Sequence, residues 1–243
     1  MVQSRMAVQT GQHVQVLQKI GFFRGVEDDD LSEVLRQATI RKSAQGDFLF
    51  HQGDPANVFY IVIKGQIKLT QVNSEGEQVV LHYPGPGNAF GIVAVLREVP
   101  FPVSAQAVED SELLAWDEAT LRDLMFEYPQ LSINAIRLLS RFIQDFQNRI
   151  GELSSENVTR RVARAFLRIA EQAGRKIDQG VEIDIRLTRQ DIAEMSGTTL
   201  YSVSRIMSGW ERDKLIRSQS GRITILQPHK LVAIAEDLAD PKA

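Results

Sequence analysis

The chain has 243 residues, 43% of them hydrophobic, no cysteine and a formal net charge of −3. That length suits one large domain or two modest ones, and the lack of cysteine excludes disulfides, thiol chemistry and cysteine-ligated iron–sulfur clusters. No run of about 18 apolar residues occurs and the opening MVQSRMAVQTGQH lacks the apolar core of a signal peptide, so no membrane span is expected and the cytoplasm is the expected location.

Residues 12–20 and 28–38 read as helices. The second opens on the acidic cluster Glu27–Asp30, which suits the positive end of a helix dipole. From about Ile40 the period changes. DFLFHQGD, NVFYIVIKGQIKLTQ, EQVVLHYPGPG, VSAQAVED and SELLAW are short alternating or continuously apolar runs, punctuated by glycine-rich turns. Such a series predicts an all-β roll or barrel ending near Trp116. Asp117 then caps a helix, DEATLRDLMFEY, which Pro129 is expected to stop.

The next helix carries the most regular pattern in the chain. Ile136, Leu139, Ile143, Phe146, Ile150 and Leu153 are spaced 3, 4, 3, 4 and 3. This is a heptad seam, flanked by Arg141, Gln144, Asp145, Gln147, Asn148 and Arg149, and it favours a coiled-coil homodimer over a helix lying on its own domain. Val162, Phe166 and Ile169 continue a helical face to Gly174, and IDIRL reads as a strand.

RQDIAEMSGTTLYSVSRIMSGW then contains two helical patterns that meet at Gly197. Thr188 with Asp191 resembles a capping box, Gly197 supplies a positive φ, and Thr198 or Thr199 can cap the second helix. Val203, Ile206 and Met207 form that helix's apolar face. This is the helix-turn-helix pattern, whose second helix enters the DNA major groove. Its outward positions are Leu200, Tyr201, Ser202, Ser204 and Arg205, and Arg205 is the candidate for a bidentate contact to guanine. Alone, the pattern is equally an ordinary corner between two helices. LIRSQSGRITIL adds a hairpin, which makes a winged helix, and a last helix runs from about Pro228 to Leu238. Arg222 near the wing tip, with Thr188, Arg189, Gln190 and Thr199 at the helix starts, are candidates for the phosphate backbone. Residues 156–230 hold 14 Lys+Arg against 9 Asp+Glu, whereas residues 1–155 hold 13 against 19. The basic segment is the one that carries the helix-turn-helix, as a DNA-binding domain requires.

The reading is therefore α+β: a β-roll sensor domain with flanking helices over 1–129, a dimerisation helix over 130–155, and a winged helix-turn-helix over 156–243. FLFHQGDPANVFYIVIKGQIKL, FGIVAVL and LTRQDIAEMSGTTLYSVSRIMSGWERDKLI together resemble the cyclic-AMP receptor protein/fumarate-nitrate regulator (Crp/Fnr) superfamily of bacterial transcription factors, over nearly the whole chain. The resemblance implies a homodimer on palindromic double-stranded DNA, with RNA polymerase as protein partner. The turn Asn73–Gln78 is a candidate surface for the polymerase, although turn composition accounts for it equally well.

Departures from the family pattern bear on the effector. Cyclic-nucleotide binders carry a Glu after the Phe-Gly of the roll, and an Arg-Ser pair for the cyclic phosphate. Counted from Phe90-Gly91, those positions hold Ile92, Pro102 and Val103, and Arg97 lies at the wrong offset. A buried phosphate without a cation is costly, so cyclic AMP is not expected in the usual mode. FPVSAQAVEDSELL and SGTTLYSVSR look most like the branch governing nitrogen-oxide and anaerobic respiration, some members of which sense nitric oxide through haem. The candidate effector pocket comprises Gly91, Ile92, Val93, Arg97, Pro102, Val103 and His82, with Ile92, Val93 and Val103 as apolar wall. His82 and His13 are the candidate ligands among the histidines His13, His51, His82 and His229, each of which also reads as an ordinary surface histidine. Haem, another small apolar or acidic molecule, and no effector at all remain the alternatives, the last with control by protein level. In the recognition helix, Tyr201 stands where one family pattern has Glu, while Ser204 and Arg205 match it. No metal site and no enzyme are expected: GxSxG, HExxH and a P-loop are all missing. A roll that senses ligand without binding DNA is the remaining class, disfavoured by the basic winged helix.

Overall fold

The computed structural model describes residues 20–219 and 221–238. Of the helix expected over 12–20, only Ile20 is described, as a buried bend; His13 lies outside the described residues. In chain order, a 3-10 turn Gly21–Phe23 precedes α1 (Asp28–Arg36), β1 (Thr39–Ser43), β2 (Phe48–Phe50), β3 (Val58–Lys64), β4 (Ile67–Val72), β5 (Gln78–His82) and β6 (Ala89–Phe90). Then follow α2 (Ile92–Arg97), β7 (Ser104–Ala107), β8 (Ser111–Asp117), α3 (Glu118–Glu127), α4 (Pro129–Ser155) and α5 (Val158–Ala173). The remainder is β9 (Gly174–Ile177), β10 (Gly180–Ile183), α6 (Arg189–Ser196), α7 (Leu200–Arg212), β11 (Ile216–Gln219), β12 (Arg222–Ile225) and α8 (Pro228–Glu236). No helix among the described residues is long and apolar enough to cross a membrane.

Two compact units divide the chain. One comprises Met1–Lys68 and Pro84–Phe146, the other Leu69–Tyr83 and Gln147–Ala243. Compactness thus cuts α4 after Phe146, past its middle, and groups most of the β4–β5 hairpin with the C-terminal elements, whereas the sequence pattern suggested boundaries at the two ends of the long helix.

In the first unit an antiparallel sheet runs in the order β1-β8-β3-β6, and β2 pairs with β7. The continuous apolar runs in VFYIVIK and SELLAW have their cause here, because these strands are central and both of their faces are covered. Phe23, Leu31, Leu35, Phe59 and Trp116 are fully buried, and the Trp116 indole donates to the carbonyl of Val34 at 3.0 Å. Asp117 caps α3 by accepting from the backbone N–H of Thr120. Pro129 does follow that helix, yet it opens the next one: Tyr128 breaks the run, and proline is well suited to a first helical position, where its N–H is not needed.

In the second unit β11-β12-β10-β9 form an antiparallel sheet and β4 pairs with β5. The strand expected at IDIRL needs correction. Pairing ends at Ile183, where β10 faces Ile223, and the chain then runs irregularly into α6. Ile185 and Leu187 keep the alternation because they are buried, outside the strand ladder, although the Leu187 N–H still donates to the Gly221 carbonyl at 3.4 Å. The strands β6 and β9 and the short helix α2 were not expected. β9 is GRKI, whose polar residues hide the period.

Asn134 is buried in the first unit, and its amide donates to the carbonyls of Phe22 and Arg24, each at 2.8 Å. Asn134→Ala leaves both acceptors without that donor. It is expected to cost about 2–3 kcal/mol, read from chemical denaturation of the purified protein.

Candidate nucleic-acid interface

The helix-turn-helix is built by local chemistry. The Thr188 hydroxyl accepts from the Asp191 N–H at 3.0 Å while the Asp191 carboxylate accepts from the Thr188 N–H at 2.9 Å, a reciprocal capping box. Gly197 ends α6 with φ of +60°, a conformation that costs a branched side chain dearly. Thr199 caps α7, accepting from the Ser202 N–H at 3.2 Å and donating its hydroxyl to Ser202 Oγ. Val203, Ile206, Met207 and Trp210 anchor α7 inward, with Trp210 edge-on to Phe166 of α5 at 5.8 Å. That anchoring decides what faces outward. Leu200 is 48% and Tyr201 78% exposed, Arg205 is exposed one turn later, and Ser202 and Ser204 are half-buried beside them.

The cationic candidates differ in their engagements. The Arg205 guanidinium makes no ion pair among the described residues and is free to reach a base edge. Arg189 lies 3.6 Å from Glu211, and Gln190 donates to Glu194. Arg222, the first residue of β12, is paired with Asp184 at 3.2 Å and Glu182 at 3.7 Å. The basic count of this segment overstates what DNA can meet. Arg160, Arg161, Arg164 and Arg168 on α5 turn inward onto Glu156, Glu152, Glu236, Asp237 and backbone carbonyls.

Three of the unit's arginines converge on the end of α6, which the sequence did not reveal. Arg149 Nη2 donates to the Met195 carbonyl at 2.5 Å, and Arg168 reaches the same oxygen at 3.5 Å. Arg161 donates to the carbonyls of Ser196 and Gly197 at 3.0 and 3.2 Å. These are orphan acceptors at the negative end of a helix, so guanidinium groups suit them. Arg149 was expected only as a flank of the seam. Instead burial, and next the nearby Arg168, push its pKa down to about 10, against the pull of Glu152. No spacing rule could have found it, because its partner is a backbone oxygen 46 residues away.

The β4–β5 hairpin lies against the same helix. Gln78 donates to Glu194 at 3.2 Å, and the Tyr83 N–H donates to Gln172 at 3.1 Å. The Tyr83 hydroxyl is buried beside Asp191, and that burial, with the neighbouring carboxylates of Asp191 and Glu194, raises its pKa.

On α4 the seam is open to water. Ile136, Ile143, Phe146, Ile150 and Leu153 are 64, 60, 56, 64 and 48% exposed, and Leu139 is half-buried.

The cyclic nucleotide-binding domain family matches residues 40–128, and the Crp-like helix-turn-helix domain family matches residues 160–234. The cyclic AMP receptor protein of Thermus thermophilus is 29% identical over 217 residues, 89% of this chain and 97% of the relative. The transcriptional activator protein anr of Pseudomonas aeruginosa is 28% identical over 211 residues, 86% of this chain and 85% of the relative. This is a Crp/Fnr-family transcription regulator. FixK2 of Bradyrhizobium japonicum shares the fold, with a TM-score of 0.71 at 18% identity over 84% of this chain and 98% of that one. The regulator is not an enzyme.

The effector candidates of this regulator are spread over its surface and core. Gly91 starts α2 with φ of +89°, and Ile92 is buried. Val93, expected to line a cavity, faces outward at 40% exposure because α2 turns only Ile92, Ala94 and Val95 inward. Arg97 and Pro102 are exposed and Val103 is half-buried. His82 is half-buried on β5 and belongs to the second unit. Next to Pro102, Phe101 stacks on Phe50 at 3.6 Å, and Tyr60 stacks on Phe90 at 5.3 Å, so the interior of the roll is aromatic. No group of three or more His, Cys, Asp or Glu side chains that could hold a metal ion comes together among the described residues.

A side chain at position 197 must adopt a positive φ, and its Cβ would come 2.7 Å from Leu153 Cδ2, the movable end of a side chain. Gly197→Asn, which tolerates that φ, is expected to retain most of the stability. Gly197→Val is expected to lose about 1–2 kcal/mol more, read as the difference between the two variants in thermal or urea unfolding.

Proposed function

We propose that this regulator acts in the cytoplasm as a homodimer on a palindromic operator. The observation that carries the proposal is the open seam on α4. Five large apolar side chains exposed along one stripe are covered at once if two copies pack stripe to stripe, and their 3.5-residue period is the one that knobs-into-holes packing requires. A two-fold pair then offers two recognition helices to successive major-groove faces about 34 Å apart. Arg205 reads a guanine in each half-site. Tyr201 does not copy the contact of a glutamate with a cytosine amino group, so the adjoining base pair differs from the family pattern; the tyrosine ring suits a thymine methyl. RNA polymerase is the protein partner, with the exposed turn Asn73–Gln78 as a candidate surface.

The roll takes an effector other than cyclic AMP bound in the usual mode. Ile92, Pro102 and Val103 stand where a ribose acceptor and a phosphate clamp are needed, so the cyclic nucleotide of the relatives named for it does not carry over. The likeness of FPVSAQAVEDSELL to the nitrogen-oxide branch supports haem with nitric oxide as the effector, with His82 as candidate ligand. Titration with haem tests this: a saturable Soret shift of one per subunit, altered by His82→Ala and by nitric oxide, is expected, and its absence leaves another effector or none.

Phe146→Asp is expected to convert the dimer to monomer in sedimentation and to abolish tight operator binding. Arg205→Ala is expected to cost about 1–3 kcal/mol per half-site and to relax preference at one base pair, measured by fluorescence anisotropy on matched and mismatched duplexes. Unchanged affinity and preference would make the assignment wrong. Calorimetric titration with cyclic AMP is expected to show no binding at micromolar concentrations.

A further inference from the structure

We propose that Arg149 sets the half-site spacing that the dimer reads. The inference rests on the homodimer and palindrome proposed above, and it adds a residue that touches neither DNA nor effector.

The covalent link between the seam helix α4 and the helix α5 that carries the reading head is short: only Glu156 and Asn157 lie outside helix. Two non-helical residues are enough to let a head pivot. Three side chains on α4 oppose pivoting: Arg149 and Leu153, one helical turn apart, and Glu152 between them, which holds Arg168 of α5 at 2.6 Å. Arg149 donates to the Met195 carbonyl, and Leu153 packs its Cδ2 against Gly197. Residues four apart lie on the same face of a helix, so both attachments meet the same turn between α6 and α7. One contact would act as a pivot point; two fix a rotation. Arg161 and Arg168 also hold that turn, but from α5, within the head itself. Arg149 is the guanidinium that reaches it from the seam. It is adjacent to Ile150 and three residues from Phe146, so the packing that defines the two-fold axis also positions this side chain.

The charges facing Arg149 explain why it stays. Arg168 opposes it, while Arg168 itself is held by Glu152 at 2.6 Å and reaches the Met195 carbonyl only at 3.5 Å, leaving the shorter bond to that oxygen to Arg149 Nη2. A lysine offers a single point charge on a flexible stem, and it reproduces part of this restraint.

The distance between the two heads follows from the angle at which each leaves the seam. Moving a half-site by one base pair displaces it by about 3.4 Å and rotates it by about 34–36°. A rigid head penalises that shift, and a loose one follows it.

The test uses the full-length protein. A half-site is selected from a random duplex pool, and duplexes are built with the two half-sites at the selected separation and one or two base pairs nearer or farther. The wild type is expected to prefer one separation over its neighbours by about tenfold or more. In Arg149→Gln that ratio is expected to fall below about threefold, with dimer sedimentation and affinity for a duplex bearing one half-site unchanged, and Arg149→Lys is expected to fall between. A purely structural role would weaken all separations and the single half-site alike. Retention of the wild-type preference in Arg149→Gln, or a loss equal on every duplex, would overturn the inference. A wild-type protein without any spacing preference would overturn the palindrome reading, and this inference with it.

Discussion

A helix of 27 residues that carries an apolar side chain on every seam position cannot keep that stripe in water without cost. Burying one large aliphatic or aromatic side chain contributes roughly 1.5–3 kcal/mol, and the α4 stripe holds six of them. The first unit covers only the start of α4, through Leu131, Asn134 and Ala135. From Ile136 onward the stripe needs an outside partner. A second copy of the same stripe is self-complementary in shape and period, which is the requirement of a two-fold interface. The proposed architecture descends from that constraint: paired seams, paired heads, and an operator that repeats itself.

The parts of the fold visible in the sequence are those where a residue's role is local. The Thr188–Asp191 box, the Gly197 break and the Thr199 cap each join residues within three positions, so their spacing states their chemistry. The α4 seam is equally legible, because a heptad is a property of one helix. The sequence was silent where a side chain meets distant backbone. Arg149 reads as a flank of the seam, and Arg161 and Arg168 only as part of the basic count, since nothing in their own neighbourhood names Met195, Ser196 or Gly197 as partners. Ile185 and Leu187 misled for a related reason: alternation records burial, and pairing is only its commonest cause. The approach of Gln78 and Tyr83 to α6 likewise depends on topology, with Gln78 and Glu194 lying 116 positions apart.

The effector region illustrates a different limit on inference from family pattern. The Phe-Gly and the glycine spacing of the roll persist, and Gly91 still takes a positive φ. Backbone geometry of that kind is shared by many ligands' hosts. Ligand chemistry lives in the side chains, and there the phosphate clamp has become Pro102 and Val103 while the ribose acceptor has become Ile92. The aromatic stacks Phe50–Phe101 and Tyr60–Phe90 add apolar surface around the same region. These substitutions act against one ligand class: Pro102 and Val103 supply no cation or donor for a buried phosphate, and Ile92 supplies no acceptor for ribose hydroxyls.

Charge offers the last link between structure and function. A chain of net charge −3 is an unpromising partner for a polyanion, and the excess of cations in residues 156–230 seemed to resolve this. The structure divides that excess into two populations. Arg160, Arg161, Arg164 and Arg168 on α5 neutralise carboxylates and orphan carbonyls inside the unit. Arg205, on the outward face of α7, is left without an ion pair among the described residues. Non-specific attraction scales with the number of phosphates neutralised, so the arginines engaged internally add little to it. Discrimination between DNA sequences therefore rests on the few groups that project from α7, and on how firmly the turn beneath them is held. Arg161 and Arg168, with Arg149 from α4, bear on that second route, because they hold the end of α6 against which the reading helix is set.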